Sequence, residues 1–307
     1  MIHLGTWLVL AAALPIASGG QAAGSAPPLK FVTFNLFHGG VFSGLSGDAK
    51  DLERRLEMAA DALGSLRVDV IGLQEASASR GRGNVAERLA NQLGFHYVYA
   101  PASSRFFGDN GFDRVIASVL NFTEGPAIVS RFPIIRWEVH DLPRCGRLFD
   151  SRVLLAVTLQ TPWGPLRVFS THTRGDPCQT QRVAALARNG HGPLPAVLLG
   201  DFNAAEGSDA ITALTGDTGF VDAYRTANPT LPGPTVWQRI EEPVPTVWRR
   251  VDYVFVIPGT EFPGTVISSR VILDAPRQLP DGKVLWPSDH YGVLAEMEMF
   301  PSPPGRS

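Results

Sequence analysis

Two stretches of the chain set chemically capable side chains close together. "LLGDFN" carries Asp201 and Asn203 with one residue between them, and "PSDHYGV" carries Asp289 next to His290. Residues two apart in a strand face the same way, so Asp201 and Asn203 are expected to present a carboxylate and a carboxamide side by side. Other apolar runs end in the same manner: Asn35 closes "FVTFN", Glu75 closes "VIGLQE" and His172 closes "VFSTH". One Asp or Asn at a strand end is ordinary turn chemistry. Carboxylates, amides and imidazoles recurring at that same position call for a common purpose. Carboxylate and amide oxygens are hard ligands suited to Mg²⁺, Mn²⁺ or Ca²⁺. Imidazoles donate to phosphate oxygens and exchange protons near neutral pH. Hydrolysis of a phosphate ester uses both, a metal to offset charge and a base to activate water.

The segments that must position these groups read as alternating elements. "LKFVTFNL" and "VDVIGLQE" are expected strands. Between them, "DLERRLEMAADALGSL" spaces Leu52, Leu56, Ala59, Ala60 and Leu63 at helical intervals, with acids in its first turn. "NVAERLANQLG" is a helix closed by glycine, and "QTQRVAALARNG" is another. "AIVSRFPI", "PAVLLGDFN", "RRVDYVFV" and "HYGVLAEMEM" are strands. "SRVLLAVTLQTPWGPLRVFSTHT" is a hairpin turning at Pro162–Pro165. Helices and strands alternate first and strands dominate later, which predicts two sheets with helices outside.

Composition sets the bounds. The 307 residues are 44% apolar and 18% charged, enough for a large core, and the formal net charge is −2. That balance lacks the basic footprint of a tight nonspecific nucleic-acid binder, while leaving a locally positive cleft open. Leu4–Ala17 is an apolar run too short for a membrane span and followed by small residues. Residues 1–23 are read as a signal peptide and 24–307 as one domain, secreted or periplasmic; an uncleaved anchor or an apolar tail are the alternatives. The only cysteines, Cys145 and Cys178, are expected to form a disulfide, with two buried thiols as the alternative. Two isolated thiols do not make a zinc site. Asn121–Thr123 matches a glycosylation sequon. His38, His96, His140 and His191 are read as loop residues. Trp237, Trp248 and Trp286 are read either as cleft lining or as core.

Taken in order, "FVTFNLFHGG", "DVIGLQE", "EGPAIVSRFPI", "STHT", "GDFN", "RRVDYVFV" and "PSDHYGVLAEM" make the chain resemble the endonuclease/exonuclease/phosphatase superfamily of deoxyribonuclease I-like enzymes. The resemblance implies an α+β fold, a four-layer α/β/β/α sandwich of two packed mixed sheets flanked by helices, with the site at one end. It implies Glu75 as the main metal carboxylate, with Asn35 and Asp289 as its partners, for Mg²⁺ or alternatively Mn²⁺ or Ca²⁺. Asp201 and Asn203 then handle the scissile phosphate, flanked by His172 and His290. Asp252 is implied as the partner of His290, Glu124 as an orienting partner of His172, and Arg152 as a phosphate contact. The implied activity is metal-dependent hydrolysis of a phosphodiester or phosphomonoester by in-line water attack. Nucleic acid, a phospholipid headgroup such as that of sphingomyelin, and small phosphoesters are the candidate substrates, with nuclease-like action favoured. No stable protein partner is implied, and the chain is expected to be a monomer. A catalytically dead binding module is the rival from another class.

Overall fold

The structure, a computed structural model, describes residues 26–38, 50–80, 83–102, 123–146, 151–189, 192–216 and 218–301. In chain order these form β1 (Leu29–Asn35), α1 (Leu52–Leu66), β2 (Val70–Ser79), the two-residue β3 (Gly83–Asn84), α2 (Val85–Leu93), β4 (His96–Tyr99), β5 (Thr123–Ser130) and β6 (Ile134–Asp141). There follow β7 (Val153–Thr161), β8 (Gly164–His172), α3 (Pro177–Arg188), β9 (Ala196–Asp201), α4 (Asp209–Thr215), β10 (Val221–Asp222) and α5 (Ala223–Ala227). The last elements are β11 (Asp252–Ile257), β12 (Thr265–Ile272), β13 (Arg277–Gln278), β14 (Val284–Leu285) and β15 (Gly292–Glu298).

One sheet runs β12–β15–β1–β2–β5–β4, with β3 beside β2, and the other runs β10–β11–β9–β8–β7–β6. Each has a parallel pair at its heart. β1 and β2 are parallel and α1 crosses between them; β8 and β9 are parallel and α3 crosses between them. Parallel neighbours need such a crossover, because a tight hairpin can only reverse the chain. Both ends of a parallel pair therefore finish at the same edge of the sheet, where open α/β sheets place their ligands.

Burial explains the layers. Phe31, Val70, Val168, Leu199, Val254 and Val293 from the two sheets share one apolar core between them. Val32, Phe34 and Ile71 point the other way, against Leu52, Leu56, Ala59 and Leu63 of α1 and Leu89 of α2. Phe169, Leu198 and Phe255 pack against Val183 of α3 and Ile211 of α4. The result is the expected helix–sheet–sheet–helix sandwich. Each of the buried Phe, Leu, Ile and Val side chains among these contributes about 1.5–3 kcal/mol. Gly72 marks the closest approach of the sheets: a Cβ there would lie 2.5 Å from Leu199 Cβ.

The local punctuation follows its chemistry. Asn84 caps α2 by accepting from the backbone N–H groups of Ala86 and Glu87, and Gly94 ends that helix at φ 70°. Asp176 caps α3, and Pro177 occupies its first turn. β7 and β8 form the expected hairpin, with Thr161 opposite Gly164 across the turn. Cys145 and Cys178 are disulfide-bonded, joining the segment after β6 to the first turn of α3. His96 and His140 lie in β4 and β6, not in loops. Trp286 is buried and stacks on Tyr291, whereas Trp237 and Trp248 are exposed. The expected signal peptide, Asn121 of the sequon and His191 lie outside the described residues. Among those described, no helix is long and apolar enough to cross a membrane.

Candidate active site

Strand register brings the polar strand ends to one place. Asn35, at the end of β1, stands opposite Gln74 midway along β2, and His172 stands opposite Asp201 at the ends of β8 and β9. Antiparallel β11 begins there, with Asp252 opposite Asp201. Asp289 and His290 lie just before β15, which runs antiparallel to β1. Three strands thus finish, two begin and β2 bulges around a single pocket spanning both sheets.

Glu75 and Asn203 reach that pocket by leaving regular strand geometry. The β2–β5 register shifts between Leu73 and Ala76, and Glu75 sits in the bulge at φ 53°. Asn203 lies beyond the end of β9 at φ 51°, and its backbone N–H donates to Asp201 Oδ1 at 2.8 Å. The pairing of Asp201 with Asn203 therefore comes from an Asx-type turn, not from strand alternation as the spacing suggested. Left-handed backbone at a residue other than glycine costs on the order of 1–3 kcal/mol and clusters at functional sites. Both strained residues here carry pocket side chains.

The contacts are dense. His290 Nδ1 lies 3.0 Å from Asp252 Oδ2, and its Nε2 lies 3.7 Å from Asp201 Oδ2. His172 Nε2 lies 2.9 Å from Asn203 Nδ2 and 3.4 Å from Asp201 Oδ2. Asn35 Nδ2 donates to Asp201 Oδ2 at 3.0 Å and to Glu75 Oε1 at 3.4 Å, while its Oδ1 accepts from the Phe37 N–H. Asn35 thus bridges the Glu75 and Asp201 carboxylates and turns its nitrogen, not its oxygen, toward Glu75. Ser288 Oγ donates to the Asn35 carbonyl at 2.7 Å, which fastens the Asp289–His290 segment to the end of β1.

Glu124 and His38 depart from expectation together. Glu124 Oε2 is 2.6 Å from His38 Nε2, and the same nitrogen is 3.3 Å from Glu75 Oε2. Among the described residues, His172 contacts Asn203 and Asp201 and makes no contact with Glu124. The expected Glu124–His172 pair is therefore replaced by Glu124–His38. The physical reason is that the chain after β1 folds back over Glu75, where two carboxylates attract one imidazole. Arg55, on the buried face of α1, supports this return by donating to the carbonyls of Leu36, Phe37 and Pro287. Its position among the apolar residues of α1 was the available signal in the sequence. Arg152, next to β7, lies near enough for its positive charge to act on both His172 and Glu124.

Electrostatics divide the pocket. Burial lowers the pKa of His290, but Asp252 and Asp201 outweigh burial and hold it up at about 10. Burial together with the charge of Asp252 raises Asp201 to about 7, against the opposing pull of His290 and Asn35. Burial, reinforced by Arg152, keeps His172 well below its usual range and hence neutral. Burial and the nearby Glu75 charge raise Asp289 to about 6. For His38, burial is overcome by the Glu124 hydrogen bond and the surrounding carboxylates, which raise it.

The donor set fits a hard divalent cation. Glu75 and Asp289 bring two carboxylates into one half-buried corner, close enough that Glu75 disfavours ionisation of Asp289. A cation between them removes that repulsion, and oxygen ligands suit Mg²⁺ or its neighbours. The two cysteines are bonded to each other and offer no thiolate.

A family profile described as "Endonuclease/Exonuclease/phosphatase family" matches residues 32–290. No curated protein matches the chain. Among solved structures, an endonuclease/exonuclease/phosphatase family protein from Bacteroides thetaiotaomicron is similar at a TM-score of 0.67 and 19% identity, covering 90% of this chain and 97% of that one. The mannosyl-6-phosphatase of the same organism is similar at a TM-score of 0.65 and 20% identity, over 88% of this chain and 99% of that one. D. rerio TDP2 complexed with a single-strand DNA product is similar at 0.61 and 17%, over 88% and 98%. These likenesses establish the shared fold, and the profile spans every strand end of the pocket. The chain belongs to the endonuclease/exonuclease/phosphatase family of phosphoesterases.

Proposed function

We propose that this chain is an exported, Mg²⁺-dependent phosphodiesterase that cleaves its substrate in a nuclease-like manner by in-line attack of water. The observation that carries the proposal is the Asp252–His290–Asp201 line, with Asn203 and His172 beside it. A divalent cation held by Glu75 and Asp289, with Asn35 alongside, supplies charge neutralisation for phosphate oxygens when bound.

The chain's own groups do the rest. His290 has a carboxylate against each ring nitrogen, an arrangement that favours the imidazolium. It is therefore a donor to a phosphoryl oxygen, with Asp252 fixing its orientation. Asp201 is the acceptor left beside it, and its position suits abstraction of a proton from the attacking water. The amide of Asn203 and the neutral imidazole of His172 hold the phosphate oxygens in line. Arg152 adds positive charge on the His172 side. Export is supported by the apolar segment at residues 4–17 and by the Cys145–Cys178 disulfide, which persists in oxidising compartments.

The test compares bis-p-nitrophenyl phosphate, plasmid DNA, sphingomyelin and p-nitrophenyl phosphate in Mg²⁺ and in EDTA. Diester turnover in Mg²⁺, lost in EDTA and in His290→Ala, is expected. Full turnover in EDTA, or a monoester preferred over every diester, rejects the proposal. Mass spectrometry of the exported chain is expected to find a start near Gly24; a retained N-terminus rejects export by cleavage.

A further inference from the structure

The segment from Thr235 to Arg249 forms an arm beside the pocket, and Thr235 Oγ1 accepts from the backbone N–H groups of Val251 and Asp252. Thr235 and Val236 N–H groups donate to the Arg249 carbonyl, and Trp248 N–H donates back to the Val236 carbonyl. The arm is fastened along its length to the strand-end segment that carries Asp289 and His290. Gln238 N–H donates to the Asp289 carbonyl at 2.7 Å, and Tyr291 N–H donates to the Thr235 carbonyl at 2.8 Å. Trp286 donates to the arm through both its backbone and its indole nitrogen. Any group displayed on this arm is held at a fixed offset from the catalytic histidine.

What the arm displays is aromatic. Trp237 is 52% exposed and Trp248 is 65% exposed. The Arg249 guanidinium lies 5.7 Å from the Trp237 ring centroid and 5.0 Å from that of Trp248, within cation–π range of both. Trp237 lines an open cleft of about 780 Å³ together with Asp289, Phe37, Lys50 and Arg239. Large apolar rings contribute to stability by burial, and these two are left out of the core. Their arm is hydrogen-bonded throughout, so their exposure is a fixed display.

The chemistry favours a planar ring as the occupant. The Arg249 guanidinium sits over a face of each indole, so exposed ring surface on both tryptophans lies next to a positive charge. Such a surface stacks on a base next to a phosphate and attracts that phosphate. A bilayer is a poorer match, because the Arg249 guanidinium in contact with both rings would have to be carried toward the apolar layer with them.

We propose that Trp237 and Trp248, bridged by Arg249, form a stacking platform for an unpaired nucleobase of a substrate whose scissile phosphate lies at Asp201 and His290. The platform rests on the phosphodiesterase reading and narrows its substrate to single-stranded nucleic acid or short oligonucleotides. A base inside a duplex is already stacked on both faces, so the platform selects against it.

The experiment measures fluorescence anisotropy of labelled octathymidylate and of the same backbone with abasic residues, both in EDTA so that nothing is cleaved. The wild-type chain is expected to bind the base-bearing strand roughly 10-fold or more tightly. Trp237→Ala and Trp248→Ala each bring that ratio toward one, and Trp237→Phe keeps most of it. Equal wild-type affinity for the two strands overturns the platform, as does an unchanged ratio in both alanine variants. Binding to phosphatidylcholine vesicles that both alanine variants lose, while their strand ratio stays that of wild type, overturns it in favour of a lipid surface. Absence of turnover on either strand in Mg²⁺ sinks the phosphodiesterase reading alone, because the binding ratio is read without cleavage.

Discussion

His290 is held between two carboxylates, with Nδ1 3.0 Å from Asp252 and Nε2 3.7 Å from Asp201. Asp252 is fully buried, and its second oxygen accepts no hydrogen bond from the described residues. Its charge is therefore directed at the imidazole. Asp252→Asn keeps the shape and removes the charge, so His290 loses both its fixed orientation and its bias toward the imidazolium. Steady-state kinetics on a diester are expected to show kcat reduced by about 10²- to 10⁴-fold, with KM nearly unchanged. A kcat within threefold of wild type, taken as roughly the spread expected without such a role, would falsify the assignment of Asp252 as the orienting group.

Glu75 reaches the pocket only through the bulge in β2, and it faces Asp289 with like charge. Mg²⁺ is expected to raise the Tm of the wild-type chain, by an amount equivalent to about 2.7 kcal/mol at one hundred times its dissociation constant. Glu75→Gln removes a ligand charge and should abolish that Tm increase along with activity. A Mg²⁺-dependent Tm shift of wild-type size in the variant places the cation elsewhere.

The Cys145–Cys178 disulfide closes a loop between residues 33 apart in sequence. In the chain-entropy account, a loop of that size stabilises the fold by about 3–4 kcal/mol. Urea denaturation of the double variant Cys145→Ser, Cys178→Ser should show an unfolding free energy lower by that amount and hence a lower midpoint. The same midpoint in wild type and variant contradicts it.

Glu206 accepts from Arg225 Nε at 2.6 Å and pairs with Arg250 at 2.9 Å. The Arg225 hydrogen bond is the largest of the influences that hold its carboxyl down at about 2, below the ordinary 4.5. A depressed carboxylate favours the folded chain while ionised. Its contribution is complete above pH 4.5 and is lost as pH falls from there through about 2. The Tm difference between wild type and Glu206→Gln should be constant near neutrality and shrink across that acid window. A difference that grows on acidification has the wrong sign and removes the role.

Much of the architecture was legible from the chain. Helical spacing located α1, and the closing glycine Gly94 marked the end of α2, because those signals act within a few residues. The apolar runs before Asn35, Glu75, His172 and Asp201 were readable as strands from their hydrophobic pattern, but Glu75 lies in a bulge within β2, which continues to Ser79, and not at a strand end. Glu124 and His38 were not readable as a pair. They come from different parts of the chain, and only the fold of the segment after β1 over Glu75 brings them together. The exposure of Trp237 and Trp248, against the burial of Trp286, was equally hidden, since composition assigns all three indoles the same tendency to be buried.

The sequence alone determined which residue types stand where strands end, and hence that oxygen ligands and imidazoles would gather wherever those ends meet. Tertiary structure alone decided the partners. Parallel pairing through α1 and α3 aligned the strand ends, while the left-handed backbone at Glu75 and Asn203 turned two side chains inward against local preference. Local signals extend over a turn or a strand, but the charges that set each group's protonation lie across the interface of two sheets.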